Sequence, residues 1–279
     1  MINIDEEKMS SVISGYQIPV KPEILTSLDQ LMAIKEPDME KVAHLLSSDV
    51  GLSASILKII NSPIYGMNRQ IFEIKQAVMI LGLKTISSLV TATLLKQSFI
   101  GKSSISLERF WDEANEIADA MVFIGKKVNT NIPVDILYTI GLFHNCGIPL
   151  LALKYPNYKK VLIEANASEE SFTAIEEKYF KTNHAVLGYF ISSSWHLPKA
   201  ISQLILQHHD CRYLLSNIDD KDKIAFAVLK AAENMVERTK RFNYADGWQD
   251  SEKLVLNVLG ISTFDYVDIE EDFTENFLS

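Results

Sequence analysis

Histidine, cysteine and the carboxylates are the side chains most able to hold a metal or move a proton, and a few stretches of this chain gather them. In "GLFHNCGIP", residues 141–149, His144 and Asn145 stand side by side at the end of an apolar run. With an aspartate in place of Asn145, imidazole and carboxylate would be adjacent metal ligands on a helical scaffold. As it stands, the pair reads either as a metal site with one ligand altered or as a site that has been given up. Cys146 follows directly, and "QHHDCR" supplies His208, His209 and Cys211. If the fold brought these two helix ends together, thiols and imidazoles would line one cleft and suit zinc. Against this, H-x-C and H-H-x-C are not zinc-ligand spacings, and free cysteines are common in cores. His208 and His209 also fall where a helix C-terminus favours a cation. Core and capping roles therefore outweigh ligation for this group.

Other chemistries find no support. The 11 glycines are dispersed, with no G-x-x-x-x-G-K-S/T or G-x-G-x-x-G among them, so no phosphate-cradling loop is present. No G-x-S-x-G nucleophile elbow occurs, and the serines of "FISSSWH" read as helix-core residues. Two cysteines are too few for a disulfide framework. A formal net charge of -9 leaves no basic excess to neutralise phosphates, which excludes a general nucleic-acid-binding surface. The short basic spots Lys126-Lys127, Lys159-Lys160 and Arg238, Lys240, Arg241 read as solvated helix faces. The start, "MINIDEEKMSS", has no apolar core and does not read as a signal peptide. The most apolar stretch, "EIKQAVMILGLKTISSLVTATLLKQ", is interrupted by Gly82 and Lys84, which argues against a membrane span. A cytoplasmic protein with no membrane association is expected.

The elements that must position these residues read as helices almost throughout. Apolar residues recur three and four apart, and alternating strand patterns are hard to find. Asp38 is an N-cap for a helix with Met39, Val42, Ala43 and Leu46 on one face, and Asp49 starts a second that Pro63 stops. Gly82 ends a helix from about Ile74, and another follows with Ile86, Leu89, Val90 and Leu94 inward. The polar connector "GKSSIS" (101–106) divides the chain into an N-terminal helical lobe, 1–102, and a C-terminal lobe, 103–279. Beyond it a long helix carries Trp111, Ala114, Ala118, Met121 and Val122 on its stripe, and Pro133 is placed as the first residue of the helix leading to His144. The acidic tail "DYVDIEEDFTENFLS" is left open between a short amphipathic helix and a loose end. The fold class is all-α, in two helical lobes.

Several of these stretches also carry a resemblance. "IPVKPEILTSLDQL", "VAHLLSSDVGLSASILKIINSPIYGMNRQIFEIKQAVMILGLKTISSLV", "GLFHNCGIPLLALKYP" and "WHLPKAISQLILQHHD" are similar to the HDOD family, the HD-related output domain of bacterial signalling proteins. The likeness runs from about Ile18 to about Arg212 and continues more weakly to about residue 240. It implies an HD-domain-like helical fold whose C-terminal lobe is related to the metal-dependent HD phosphohydrolases. Those enzymes use a histidine, a His-Asp pair and a later aspartate to hold a divalent ion that generates hydroxide near neutral pH. Mapped here, the first position falls at Glu113, the pair at His144-Asn145, and the last at Glu233. Only His144 is retained, so the resemblance implies a degenerate HD site, with no catalytic residue, no cofactor and no stoichiometric metal. Glu113, His144 and Glu233 together remain a chemically acceptable, less favoured site for a divalent ion.

The expected function is therefore non-enzymatic: a stand-alone signal-transduction or regulatory module that binds another signalling protein, or a small ligand in the relic cleft. The alternative is a residual metal-dependent phosphohydrolase acting on a nucleotide or cyclic nucleotide. For docking, the irregular loop "NSPIYGMNRQIF" offers Tyr65 and Met67 as large apolar anchors, against the favoured alternative that Tyr65 and Phe72 belong to the core between the lobes.

Overall fold

The computed structural model describes residues 15–65, 67–168 and 170–277. The N-terminal stretch 1–14 and Gly66 of the proposed docking loop lie outside them. Among the described residues there are fourteen α-helices, two 3-10 turns and no strand.

The N-terminal lobe packs α1 (Glu23–Met32), α2 (Met39–Ser47) and α3 (Val50–Ile60) against α4 (Ile74–Ser98). Asp38 accepts from the backbone N–H groups of Glu40 and Lys41, and Asp49 from that of Leu52, so both caps form as their residue types dictate. Met39, expected on the buried face of α2, is exposed, while Val42, Ala43 and Leu46 are buried. Gly82 breaks α4 with φ 80° and ψ 162°, a backbone region essentially reserved for glycine. The break turns the second half of α4 so that Ile86, Leu89, Val90 and Leu94 all point inward.

The C-terminal lobe is built on α5 (Leu107–Lys127), α6 (Val134–Phe143) and α12 (Asp220–Arg241), which pack on one another. Pro133 proves to be the cap of α6 and not its first residue. Around them lie α7 (Gly147–Lys154), α8 (Tyr158–Ala167), α9 (Phe172–Phe180), α10 (His184–Ser194) and α11 (Lys199–Gln207). The chain closes with α13 (Trp248–Leu259) and α14 (Thr263–Phe277). The tail left open by its charge pattern is thus helical as far as Phe277, and its last two residues lie outside the described ones. Its Tyr266, Ile269 and Phe273 are buried, with the Phe273 ring 5.5 Å from that of Phe123 on α5.

One apolar core runs through both lobes. Each fully buried leucine or isoleucine in it contributes roughly 1.5–3 kcal/mol. Polar contacts cross the boundary as well. Ser88 on α4 donates to Asp135 on α6 at 2.9 Å, and the Trp195 indole donates to the Pro19 carbonyl at 2.7 Å. The connector is pinned by Ser104, whose backbone N–H and hydroxyl both donate to the Ala152 carbonyl. By length and hydropathy alone, Ile74–Ser98 and Val134–Lys154 are each sufficient to cross a membrane. In this fold the first is broken at Gly82, and 83% of the most apolar window of the second is buried against other helices.

Candidate functional site

Four of the six histidines, His144, His184, His208 and His209, converge where the ends of α6, α10 and α11 meet the middle of α12. Close approach of α7 to the start of α10 permits this. A Cβ on Gly147 would sit 2.1 Å from the His184 carbonyl oxygen, so only glycine lets these two segments touch.

His144 caps α6 and is 1% exposed. Its Nδ1 lies 2.7 Å from the Gly141 carbonyl, which can only accept, so Nδ1 carries the proton and Nε2 the lone pair. That Nε2 is buried without a hydrogen-bond partner and lies 3.5 Å from a Glu233 oxygen. Burial pushes the His144 pKa down, the Glu233 charge only partly opposing it. Glu233 itself is held by Lys230, one turn earlier on α12, whose ammonium is 2.6 Å away and almost completely buried. Burial alone would lower the Lys230 pKa, but the Glu233 carboxylate outweighs it and the net shift is upward.

Beside it stands a second cluster. His184 opens α10, with Asn183 as N-cap, and is fully buried. Its Nδ1 is 2.6 Å from a Glu176 oxygen, and that oxygen also accepts from the His184 backbone N–H at 2.8 Å. The other Glu176 oxygen accepts from the Tyr158 hydroxyl. Glu176 is thus a fully buried carboxylate that both tethers the start of α10 and fixes the imidazole of His184. His184 Nε2 lies 2.8 Å from His209 Nε2 and 3.4 Å from His208 Nε2. His208 Nδ1 is 2.6 Å from the Ile205 carbonyl, while its Nε2 is 3.1 Å from the Asn145 side-chain oxygen. Phe172 stacks on His209, ring centroids 5.9 Å apart, and covers the outer side.

The sequence expectation of cationic histidines at the end of α11 is corrected here. Burial first, and the neighbouring imidazoles after it, hold both His208 and His209 well below the usual histidine pKa, so both are neutral.

Other expected residues are placed elsewhere. Glu113 points outward from α5 and pairs with Arg241 at 2.8 Å, so the structure joins Glu233 to His144 without Glu113. A divalent ion does not fit this trio: one carboxylate is turned away, and the other is neutralised by a buried ammonium. Cys146 is fully buried, its sulfur 3.9 Å from the Gly188 carbonyl, and burial pushes its thiol pKa up, away from the thiolate that zinc needs. Cys211 begins the 3-10 turn Cys211–Leu215 and is half-buried. Tyr65, proposed as an exposed anchor, is 7% exposed with its ring 6.4 Å from that of Tyr138, so it is a contact between lobes. Met67 is partly buried against the core, and it is Phe72, at 70% exposure, that faces outward from this loop.

His184, Glu176 and Lys230 were not singled out from sequence. The available signal was positional: His184 shares a helical stripe with Leu187, Gly188 and Ile191, and Lys230 one with Phe226 and Glu233. A polar residue on a core stripe is the informative exception.

With this arrangement described, the family profile of the HDOD domain is found to match residues 18–211. The chain belongs to the HDOD family. An uncharacterized protein of Treponema pallidum (strain Nichols) is 27% identical over 199 residues, covering 69% of this chain and 38% of that relative. The chain therefore spans well under half the length of that relative. Among solved structures, an HDOD domain protein of Geobacter sulfurreducens superposes with a TM-score of 0.67 at 24% identity, covering 99% of this chain and 100% of that one. A candidate phosphohydrolase of Shewanella amazonensis SB2B gives 0.70 at 19% identity, over 96% and 92% of the two chains. A candidate signal-transduction protein of Marinobacter aquaeolei VT8 gives 0.71 at 17% identity, over 99% of this chain and 64% of that one. At these identities the structural likeness establishes the all-helical HDOD fold of this chain and nothing of its chemistry.

Proposed function

We propose that this HDOD chain is a non-catalytic signal-transduction module that works by docking another signalling protein. The observation that carries this reading is the buried Lys230–Glu233 pair, 2.6 Å apart beside His144. HD-type hydrolysis needs carboxylates free to hold an ion and to take a proton from its water. Here the Lys230 ammonium already engages the Glu233 carboxylate, Asn145 supplies a neutral amide, and Glu113 faces Arg241.

With the chemistry withdrawn, function falls to the surface. Phe72, Met79 and Ile80, 70%, 59% and 46% exposed, lie just before and along the first half of α4 and are large enough to act as anchors. They replace Tyr65 and Met67 as the docking residues of the same lobe. The net charge of -9 favours a partner with a basic or neutral face over any nucleic acid.

The test is quantitative capture from native extract with wild-type chain and with a Phe72→Ser, Met79→Ser double variant as bait. Selective loss of a saturable partner, with the melting temperature unchanged, is expected. Equal capture by both baits would reject this surface. Steady-state hydrolysis by the wild type would reject the non-catalytic reading itself.

A further inference from the structure

The proton arrangement among the histidines has a consequence separate from the lost HD site. His184 and His208 each have Nδ1 fixed as a donor, the first to the Glu176 carboxylate and the second to the Ile205 carbonyl. Their Nε2 atoms both face away from these partners and stand only 3.4 Å apart in a buried space. The Asn145 side-chain oxygen, an acceptor, points at the same His208 nitrogen from 3.1 Å. His209 brings its Nε2 to 2.8 Å from His184.

We propose that the Nε2 atoms of His184, His208 and His209 form a binding site for one divalent transition-metal ion of the zinc, nickel or ferrous class. One ring nitrogen from each of the three histidines lies within 4.8 Å of those of the other two, and the set is distinct from Glu113, His144 and Glu233. Imidazole nitrogens are ligands these ions prefer, whereas magnesium and calcium seek oxygen. An ion about 2.0–2.1 Å from each nitrogen places tetrahedral ligands roughly 3.3 Å apart. The His184–His208 distance of 3.4 Å already has that span, and the 2.8 Å His184–His209 distance needs to open by about half an ångström.

The surroundings are those of a built metal site. A metal-bound imidazole commonly donates its other N–H to a carboxylate or a backbone carbonyl, which fixes its tautomer and aim. Glu176 does this for His184 and Ile205 for His208. Glu176 also places a fully buried carboxyl group next to the His184 ring. The Lys230 ammonium acts against a cation, and its pairing with Glu233 limits that effect. Bound there, the ion would clamp the start of α10 to the end of α11 and leave a coordination position for water or a small ligand. The proposal departs from the expectation of a metal-free chain drawn from Glu113 and Asn145.

The experiment uses the full chain without a histidine tag, stripped with chelator, dialysed, and titrated with Zn²⁺ or Co²⁺ alone. Saturation at about one ion per chain is expected, with a raised melting temperature. His209→Asn, at the half-exposed edge of the cluster, should weaken binding by at least about tenfold. Glu113→Gln should leave it unchanged. Zinc-edge X-ray absorption of loaded wild type should show imidazole scattering from about three histidines, and this does not depend on any variant folding. No saturable uptake, an oxygen-only or sulfur-containing shell, or equal affinity in a folded His209→Asn variant would each overturn the proposal. The cluster would then be a proton-bridged core network.

Discussion

Lys230 and Glu233 sit one helical turn apart on α12, and between them they decide how the neighbourhood of His144 behaves. A buried ammonium beside a carboxylate is charge-neutral as a pair, so nothing further is attracted there. Single residues elsewhere are also poised. Burial chiefly, and the nearby Glu116 charge, raise the carboxyl of Asp119 on α5 to about 7. Its folded pKa exceeds the unfolded value of about 3.9, so the native chain keeps a proton that the unfolded chain has lost between those two values. The contribution of Asp119 to stability therefore falls as pH rises from about 4 to 7. Asp119→Asn should match the wild type near pH 4 and exceed it by roughly 2 kcal/mol at pH 8, allowing for solvent screening at its half-buried edge. Urea unfolding at both pH values checks this, and a stability difference independent of pH would rule it out.

At the scale of elements, Gly82 is the clearest determinant. No other residue type tolerates its φ of 80° and ψ of 162°, although a Cβ there would meet nothing within 4 Å. Gly82→Ala should thus cost about 1–3 kcal/mol through backbone strain alone and lower the melting temperature by several degrees. An unchanged melt would mean that the break in α4 is not fixed by this residue. The break was legible in sequence, as were the caps Asp38 and Asp49 and the stripe of α5, because each depends on local chemistry. The site was legible only in part. His144, Asn145, His208 and His209 stood out by residue type, but Glu176 and His184 meet through the packing of α9, α10 and α11. Lys230 reaches Glu233 within one turn, yet only the tertiary fold buries that turn and makes the pair matter. That both a docking and a core role stayed open for Tyr65, with the core role holding and Phe72 exposed instead, has the same origin. An irregular loop gives no periodicity from which to tell a core aromatic from an exposed one.

For the whole molecule, one core shared by both lobes makes the N-terminal surface and the histidine cluster parts of the same folded unit. A partner on α4 and an ion between α10 and α11 can then influence one another through α6, which packs against both α4 and α11. The measurement that bears most directly on the central reading is hydrolysis by the full chain. The tag-free wild type and Asn145→Asp would each be supplied in turn with Mn²⁺, Fe²⁺, Ni²⁺ and Zn²⁺. Substrates would be bis(p-nitrophenyl) phosphate, nucleoside monophosphates and cyclic dinucleotides. The non-catalytic reading predicts product release no faster than in metal-containing buffer for both proteins, even where an ion is bound. Metal-dependent multiple turnover by the wild type, abolished in His144→Ala, would contradict it.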